Sequence, residues 1–259
     1  MDEPATKTRP RRRWLVFSLK SLLVFITLLA IVAAWVANER SQSRREMKIA
    51  QQFEAEGASI TFAGPYDVLF ARPEDRSWWQ RLTESFLGSR AQMLWHGGIR
   101  VDDISPIAKL TNLRWLYLGG TESNDLAPLA ELKELQILEL DDNPVSDLSS
   151  LSALKNLEEL SLEETRVSDL VPVGALSRLE KLDLGSTNVE DLSPLAALKS
   201  LRVLQINDTQ VRDLSPLVGL SALEHLDVGE TQVNEKEIQL LQQALPNCRI
   251  HRSSRSTAP

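Results

Sequence analysis

LEKLDLGSTNVEDLSPLAALKS, residues 179–200, is the stretch on which the fold turns. Leu182 and Leu184 bracket a polar Asp183, a strand-like alternation, and the phrase Asp191-Leu192-Ser193-Pro194-Leu195 closes the unit. Moving 22 residues in either direction meets the same text. Asp103, Asp125, Asp147, Asp169, Asp191 and Asp213 keep that spacing. So do Leu113, Leu135, Leu157, Leu179, Leu201 and Leu223; Leu116, Leu138, Leu160, Leu182, Leu204 and Leu226; and Leu118, Leu140, Leu162, Leu184, Ile206 and Val228. Composition alone does not hold such columns in register over 110 residues. A repeat of this length is one supersecondary unit that cannot bury its apolar side alone, so successive turns must stack.

Each unit carries its own structural expectations. Leu116 and Leu118 point inward from a short strand while the residues between and beside them face out. Thr121, Asn143, Thr165, Thr187, Thr209 and Thr231 follow each strand, where a short polar side chain is expected to bond the next turn's backbone. Ser105, Ser193 and Ser215 precede prolines, an expected cap-then-proline start to a 3₁₀ or helical turn. Val171 in place of Ser, and Ser150 in place of Pro, are expected to loosen the caps of their repeats. The aspartate column reads as a structural cap accepting backbone N–H bonds, against the rival of a row of catalytic or Ca²⁺-binding carboxylates.

These repeats resemble the leucine-rich-repeat superfamily. Their form, Thr or Asn-x-Val-x-Asp-Leu-Ser-Pro-Leu, is similar to the internalin-type bacterial class. The resemblance covers about 90–250 and implies an α/β repeat solenoid, a leucine-rich-repeat horseshoe with a parallel concave sheet. The whole layout, a basic N-terminus, one anchor, a cap, repeats and a Leu-Pro-Asn-Cys-Arg-Ile ending, resembles membrane-anchored bacterial envelope proteins.

Upstream of the repeats, Lys7, Arg9, Arg11, Arg12 and Arg13 precede an apolar run, Trp14–Ala37, in which Lys20 is the sole charge. Trp14 and Trp35 are 21 residues apart, roughly 31 Å of helix and close to the thickness of a bilayer's hydrocarbon core. The indoles suit the two interfaces, and Lys20 can snorkel back to the basic end. Residues 14–37 therefore read as a transmembrane signal-anchor helix, with 1–13 a cytoplasmic basic tail and everything after the helix extracytoplasmic. The competing reading is a cleaved signal peptide, but Val32-Ala33-Ala34 is a poor cleavage site and the apolar run is long. Residues 38–46 read as a polar stalk and 47–90 as an N-terminal cap, with a helix from Met47 to Gly57, a strand over 59–62, a loop over 64–76 and a second helix from Ser77 carrying Trp78 and Trp79. The repeats occupy 91–234; His96 aligns with the inward Leu118 as a packed structural histidine. A helical C-terminal cap follows at 235–251, then a disordered tail, 252–259.

Charge narrows the function. The chain carries a net −7, and residues 101–235 hold 10 Lys and Arg against 25 Asp and Glu, a net of −15. That excludes a nucleic-acid partner, whose phosphates need a basic face. Three histidines and the lone Cys248 show no metal-ligand spacing, and no P-loop, G-x-S-x-G, G-x-G-x-x-G or H-E-x-x-H occurs. The sequence thus points away from an enzyme and names no cofactor. The outward strand positions remain. They are aromatic at one end (Trp95, Trp115, Tyr117) and acidic in the middle (Glu139, Asp183, with Asp141 and Glu163 adding charge), a pattern suited to binding a protein, peptide or glycan near the membrane. Two alternatives stay open. In one the cap covers the aromatic end, and in the other the solenoid is a self-associating scaffold without a discrete ligand.

Overall fold

The computed structural model describes residues 59–63, 90–95, 104–121 and 123–252, with helical positions at 27, 30–35, 37–38, 41–42, 44–49 and 51. Among the described residues nine strands form one sheet in chain order: β1 Ser59–Ala63, β2 Arg90–Trp95, β3 Trp115–Tyr117, β4 Ile137–Glu139, β5 Glu159–Ser161, β6 Lys181–Asp183, β7 Val203–Gln205, β8 His225–Asp227 and β9 Arg249–His251. From β2 onward every pairing is parallel, and Leu94, Leu116, Leu138, Leu160, Leu182, Leu204, Leu226 and Ile250 stand in one register column. β1 instead runs antiparallel to β2, with a bulge between Thr61 and Phe62.

The core is a stack of leucine layers. Leu138, Leu140, Leu148, Leu151, Leu154 and Leu157 are all about fully buried, and their equivalents one turn up and down match them. The polar groups between layers are bonded within the fold. At the strand ends the chain enters a left-handed conformation at a fixed place, Gly120, Asp142, Glu164, Ser186, Asp208 and Glu230, with φ between 53° and 68°. Five of these six residues carry a Cβ, which is crowded in that region. The bend is held because the amides of the first five donate to the next turn, among them Gly120 N–H to Asp141 O, Asp142 N–H to Glu163 O and Glu164 N–H to Gly185 O, all at 2.9 Å.

The threonine column acts differently from expectation. Thr165, Thr187, Thr209 and Thr231 donate their hydroxyls to the carbonyls three residues back in their own turn, at 2.6–2.7 Å. Asn143 is what reaches between turns. Its amide donates to Leu118 O (2.8 Å) and Leu140 O (2.9 Å), and its Oδ1 accepts from both the N–H and the hydroxyl of Thr121 at 2.9 Å. A threonine is too short to make both sets of bonds.

The opposite flank is built of 3₁₀ turns, among them Ser105–Lys109, Ala127–Glu131, Ser149–Ala153 and Ser193–Ala197. The aspartate column caps them as expected: Asp125, Asp147, Asp169, Asp191 and Asp213 each accept the N–H two residues on, at 2.7–2.9 Å. The serines before proline are not the caps; the cap position falls on the preceding leucine or isoleucine, with the serine in the first turn. Nor are the two departures loose. The N–H groups of Val171 and Ser149 donate to Asp169 and Asp147 at 2.9 and 2.8 Å, although the Val171 repeat has the shorter turn, Val173–Ala175. Gly174 permits that repeat's close stacking, since a Cβ there would lie 2.6 Å from Pro194 O.

The last turn is closed by an α-helix, Glu235–Ala244, whose Asn234 cap accepts Glu237 N–H at 3.0 Å. Leu241 of this helix is buried, as are Leu245 and Cys248 after it. Arg252, expected to begin the loose tail, is tied back to Glu235 at 3.2 Å and to Val233 O. At the other end, helical positions occur on both sides of Met47, so the stretch expected to be a stalk includes helix. Glu46 is buried and accepts from Asn112 at 3.5 Å, and Ile49 packs on the leucine core. Residues 52–57, the second cap helix, the 64–76 loop, His96 and the tail beyond Arg252 lie outside the described residues, as do residues 1–26 of the anchor reading. Among the described residues no helix is long and apolar enough to cross a membrane.

Candidate functional site

Two side chains per strand face outward, and parallel pairing lines them up as two columns across the sheet. One runs Trp115, Ile137, Glu159, Lys181, Val203, His225; the other runs Tyr117, Glu139, Ser161, Asp183, Gln205, Asp227. Directly after the strands, Asp141 and Glu163 begin a third row, adjacent to the left-handed residues. Backbone placement of Trp95 beside Tyr117 follows from the β2–β3 register; its side chain lies outside the described residues.

These columns enclose two adjoining hollows. The first, about 350 Å³, is lined by Tyr117, Ile137, Glu139, Glu159, Lys181 and Val203 among others. The second, about 410 Å³, is acidic, with Glu163, Glu164, Asp208, Asp227 and Glu230 in its wall. Asp183 and Gln205 belong to both and join them. Of the residues singled out from sequence, Tyr117, Glu139, Glu163 and Asp183 are therefore brought together. Trp115 is half-buried on the same face but outside both linings. Asp141 is partly committed to structure: its Oδ1 accepts Glu163 N–H at 2.9 Å.

Electrostatics of the hollows follow from crowding of like charge. Burial, reinforced by Asp141, raises the Glu139 carboxyl above its ordinary value. Burial raises Glu163 as well, with Asp183 and Asp141 adding repulsion. Asp183 is also raised, by burial first; the N–H of Gly185, donating at 2.9 Å, and the amide of Gln205 pull the other way. Tyr117 is pushed up by burial, then by Glu139 and Glu159. The one cation among the described residues of the linings, Lys181, is paired with Glu159 at 2.6 Å.

Glu159, Lys181, Ile137, Gln205, Asp208, Asp227 and Glu230 were not singled out from sequence. The signal for the strand residues was available in the same period-two outward columns. Asp208 and Glu230 were hidden because their row leaves the sheet through the left-handed bend. No group of three or more His, Cys, Asp or Glu among the described residues is arranged to hold a metal.

Comparison with known proteins places this geometry. The family described as Leucine Rich repeats (2 copies) matches residues 155–197. Among solved structures, internalin C2 from Listeria monocytogenes is 31% identical with a TM-score of 0.59, over 65% of this chain and 75% of that one. An internalin F from the same organism is 30% identical with a TM-score of 0.58, over 65% of this chain. The chain spans about half the length of that protein, 51%. A leucine-rich-repeat protein of Leptospira interrogans shares the fold at 23% identity and a TM-score of 0.54, covering 62% of this chain and 48% of that one. No curated protein matches the chain in sequence.

Proposed function

The chain belongs to the leucine-rich-repeat superfamily, with internalin-like repeats, and we propose that it is a membrane-tethered, extracytoplasmic binding module that engages its partner through the outward face of the sheet. Proteins of this family commonly mediate protein binding. The observation that carries the reading is the continuity of the two hollows across β3–β8, a recessed face lined by the outward side chains of the sheet. A rigid stack supports it, so little order need be gained on binding. The partner is a protein or peptide rather than a glycan, because a face dominated by carboxylates is matched by cations, which polypeptides carry and neutral sugars lack.

The anchor is supported by the apolar run Trp14–Ala37 and by the helical positions within it. Ile31, Val32 and Trp35 are more than half exposed, as side chains meant for lipid would be without a bilayer. Alkaline carbonate extraction tests this: the full chain stays in the membrane pellet, and release into the supernatant overturns the anchor. Self-association is the second reading, favoured by one feature: β9 has a single strand neighbour among the described residues. Light scattering separates the two, since a binding module stays monomeric as concentration rises.

The binding surface itself is tested by pull-down from envelope extract with the full chain in detergent, comparing wild type with Trp115→Ala/Tyr117→Ala. Capture is lost in the double variant. Equal capture by both forms removes this face from consideration.

A further inference from the structure

The second outward column has a period of its own. Carboxylates stand at every other strand, Glu139, Asp183 and Asp227, with the neutral Ser161 and Gln205 between them. Neighbouring strands lie roughly 4.8 Å apart, so these carboxylates recur roughly every 9.6 Å along the solenoid axis. A ligand lying along that axis must present its complementary groups at the same interval. An extended strand repeats a face roughly every 6.7 Å and misses it. An α-helix returns to one face after seven residues, roughly 10.5 Å, and drifts by about 1 Å at each step. A polyproline II helix has three residues per turn and a rise of about 3.1 Å, so one edge recurs roughly every 9.3 Å. That backbone alone keeps step.

Two further features agree. Among the described residues, eight carboxylates but only Lys181 of the basic residues line the joined hollows, and Lys181 is already paired with Glu159. A cation entering there offsets the burial, and the lesser repulsion from Asp141, that raise the carboxyls of Asp183 and Glu139. Polyproline II ligands also dock on aromatic surfaces, because proline rings lie flat on them and the backbone is already ordered. Tyr117 stands in the same column as the carboxylates, next to Glu139.

Resting on the reading that this face is the binding surface, we propose that its partner is a proline-rich basic segment in polyproline II conformation, with Arg or Lys at every third position. The cations sit on Glu139, Asp183 and Asp227, and a proline packs on Tyr117.

Fluorescence anisotropy with a labelled peptide of repeated Arg-Pro-Pro triplets tests it, using the full chain in detergent at physiological salt. A peptide of identical composition with its arginines clustered at one end is the comparison. The triplet peptide binds about tenfold tighter, a difference of about 1.4 kcal/mol. Glu139→Gln/Asp227→Asn loses that preference; the amide introduced at the second position still offers an oxygen to Gly229 N–H, which Asp227 accepts in the native chain. Glu131→Gln/Glu190→Gln removes equal charge from exposed positions outside the hollows and retains it. Equal binding of the two peptides, equal weakening by the two double variants, or binding of neither peptide overturns the proposal. If in the last case Trp115→Ala/Tyr117→Ala still abolishes envelope capture, the binding surface stands and only its partner class is wrong.

Discussion

Replacing Asp142 with glycine should leave this protein more stable than replacing it with alanine. Asp142 has φ 55°, is exposed, and sits where each turn bends away from the strand. In an ordinary strand or helix, glycine is worse than alanine by about 0.5–1 kcal/mol because it loses more backbone freedom on folding. In the left-handed region a Cβ costs about 1–2 kcal/mol. Subtracting the first from the second leaves glycine ahead of alanine by about 0–1.5 kcal/mol at this site. The Asp142→Ala variant removes the carboxylate while keeping the Cβ, so the comparison separates strain from charge. For a domain of this size a melting shift of about 2–4 °C per kcal/mol is expected, which a calorimetric scan resolves. Gly120→Ala, at φ 68°, should lower the melting temperature. If Asp142→Gly melts below Asp142→Ala, the bend is not under the strain inferred for it.

The other expectations concern the stack and its charges. Leu160→Asp places a carboxylate at a position 2% exposed between leucine layers and should cost about 4 kcal/mol or more, so far-ultraviolet circular dichroism should report unfolding; a variant melting within a degree of wild type refutes the layer assignment. Asn143→Ala strands Thr121 N–H and two carbonyls and should cost about 3 kcal/mol, whereas Asn143→Thr should cost less, since threonine at the same column position elsewhere bonds its own turn; chemical denaturation ranks them. Stability should also peak at mildly acidic pH. Glu139, Glu163 and Asp183 have raised folded values, so the native state binds more protons than the unfolded chain and gains stability as pH falls from neutrality through them. The Asp147 carboxylate, held down by Ser149's N–H and then its hydroxyl, and Asp191, held down by Ser193's hydroxyl and then its N–H, act oppositely and lose their contribution at lower pH. A melting temperature that rises steadily from pH 5 to 8 contradicts this ordering.

The stack was legible because burial leaves a periodic trace: a leucine that must meet its counterpart one turn away recurs at the turn length. The aspartate caps were readable for the same reason. The roles of the short polar residues were not. Thr187 and Asn143 occupy one column, yet the first satisfies Leu184 O in its own turn while the second bridges two turns, a difference set by one extra bond's reach. The left-handed bend was hidden because Asp, Glu and Ser occupy it as well as Gly120, the strain being offset by inter-turn hydrogen bonds that sequence does not display. At the site, the outward columns could be read from alternation. That Asp141 is drawn into bonding Glu163 N–H, and that Asp208 and Glu230 turn toward the hollow, depended on the path of the loop.

Placing a photocrosslinking residue at Ile137, on the outward face, and separately at Glu131, on an exposed 3₁₀ turn, puts the binding surface to the most direct trial in cells making the full chain. The account predicts a discrete crosslinked product from position 137 and none from position 131. A product from 131 alone, or the same product from both, would contradict it.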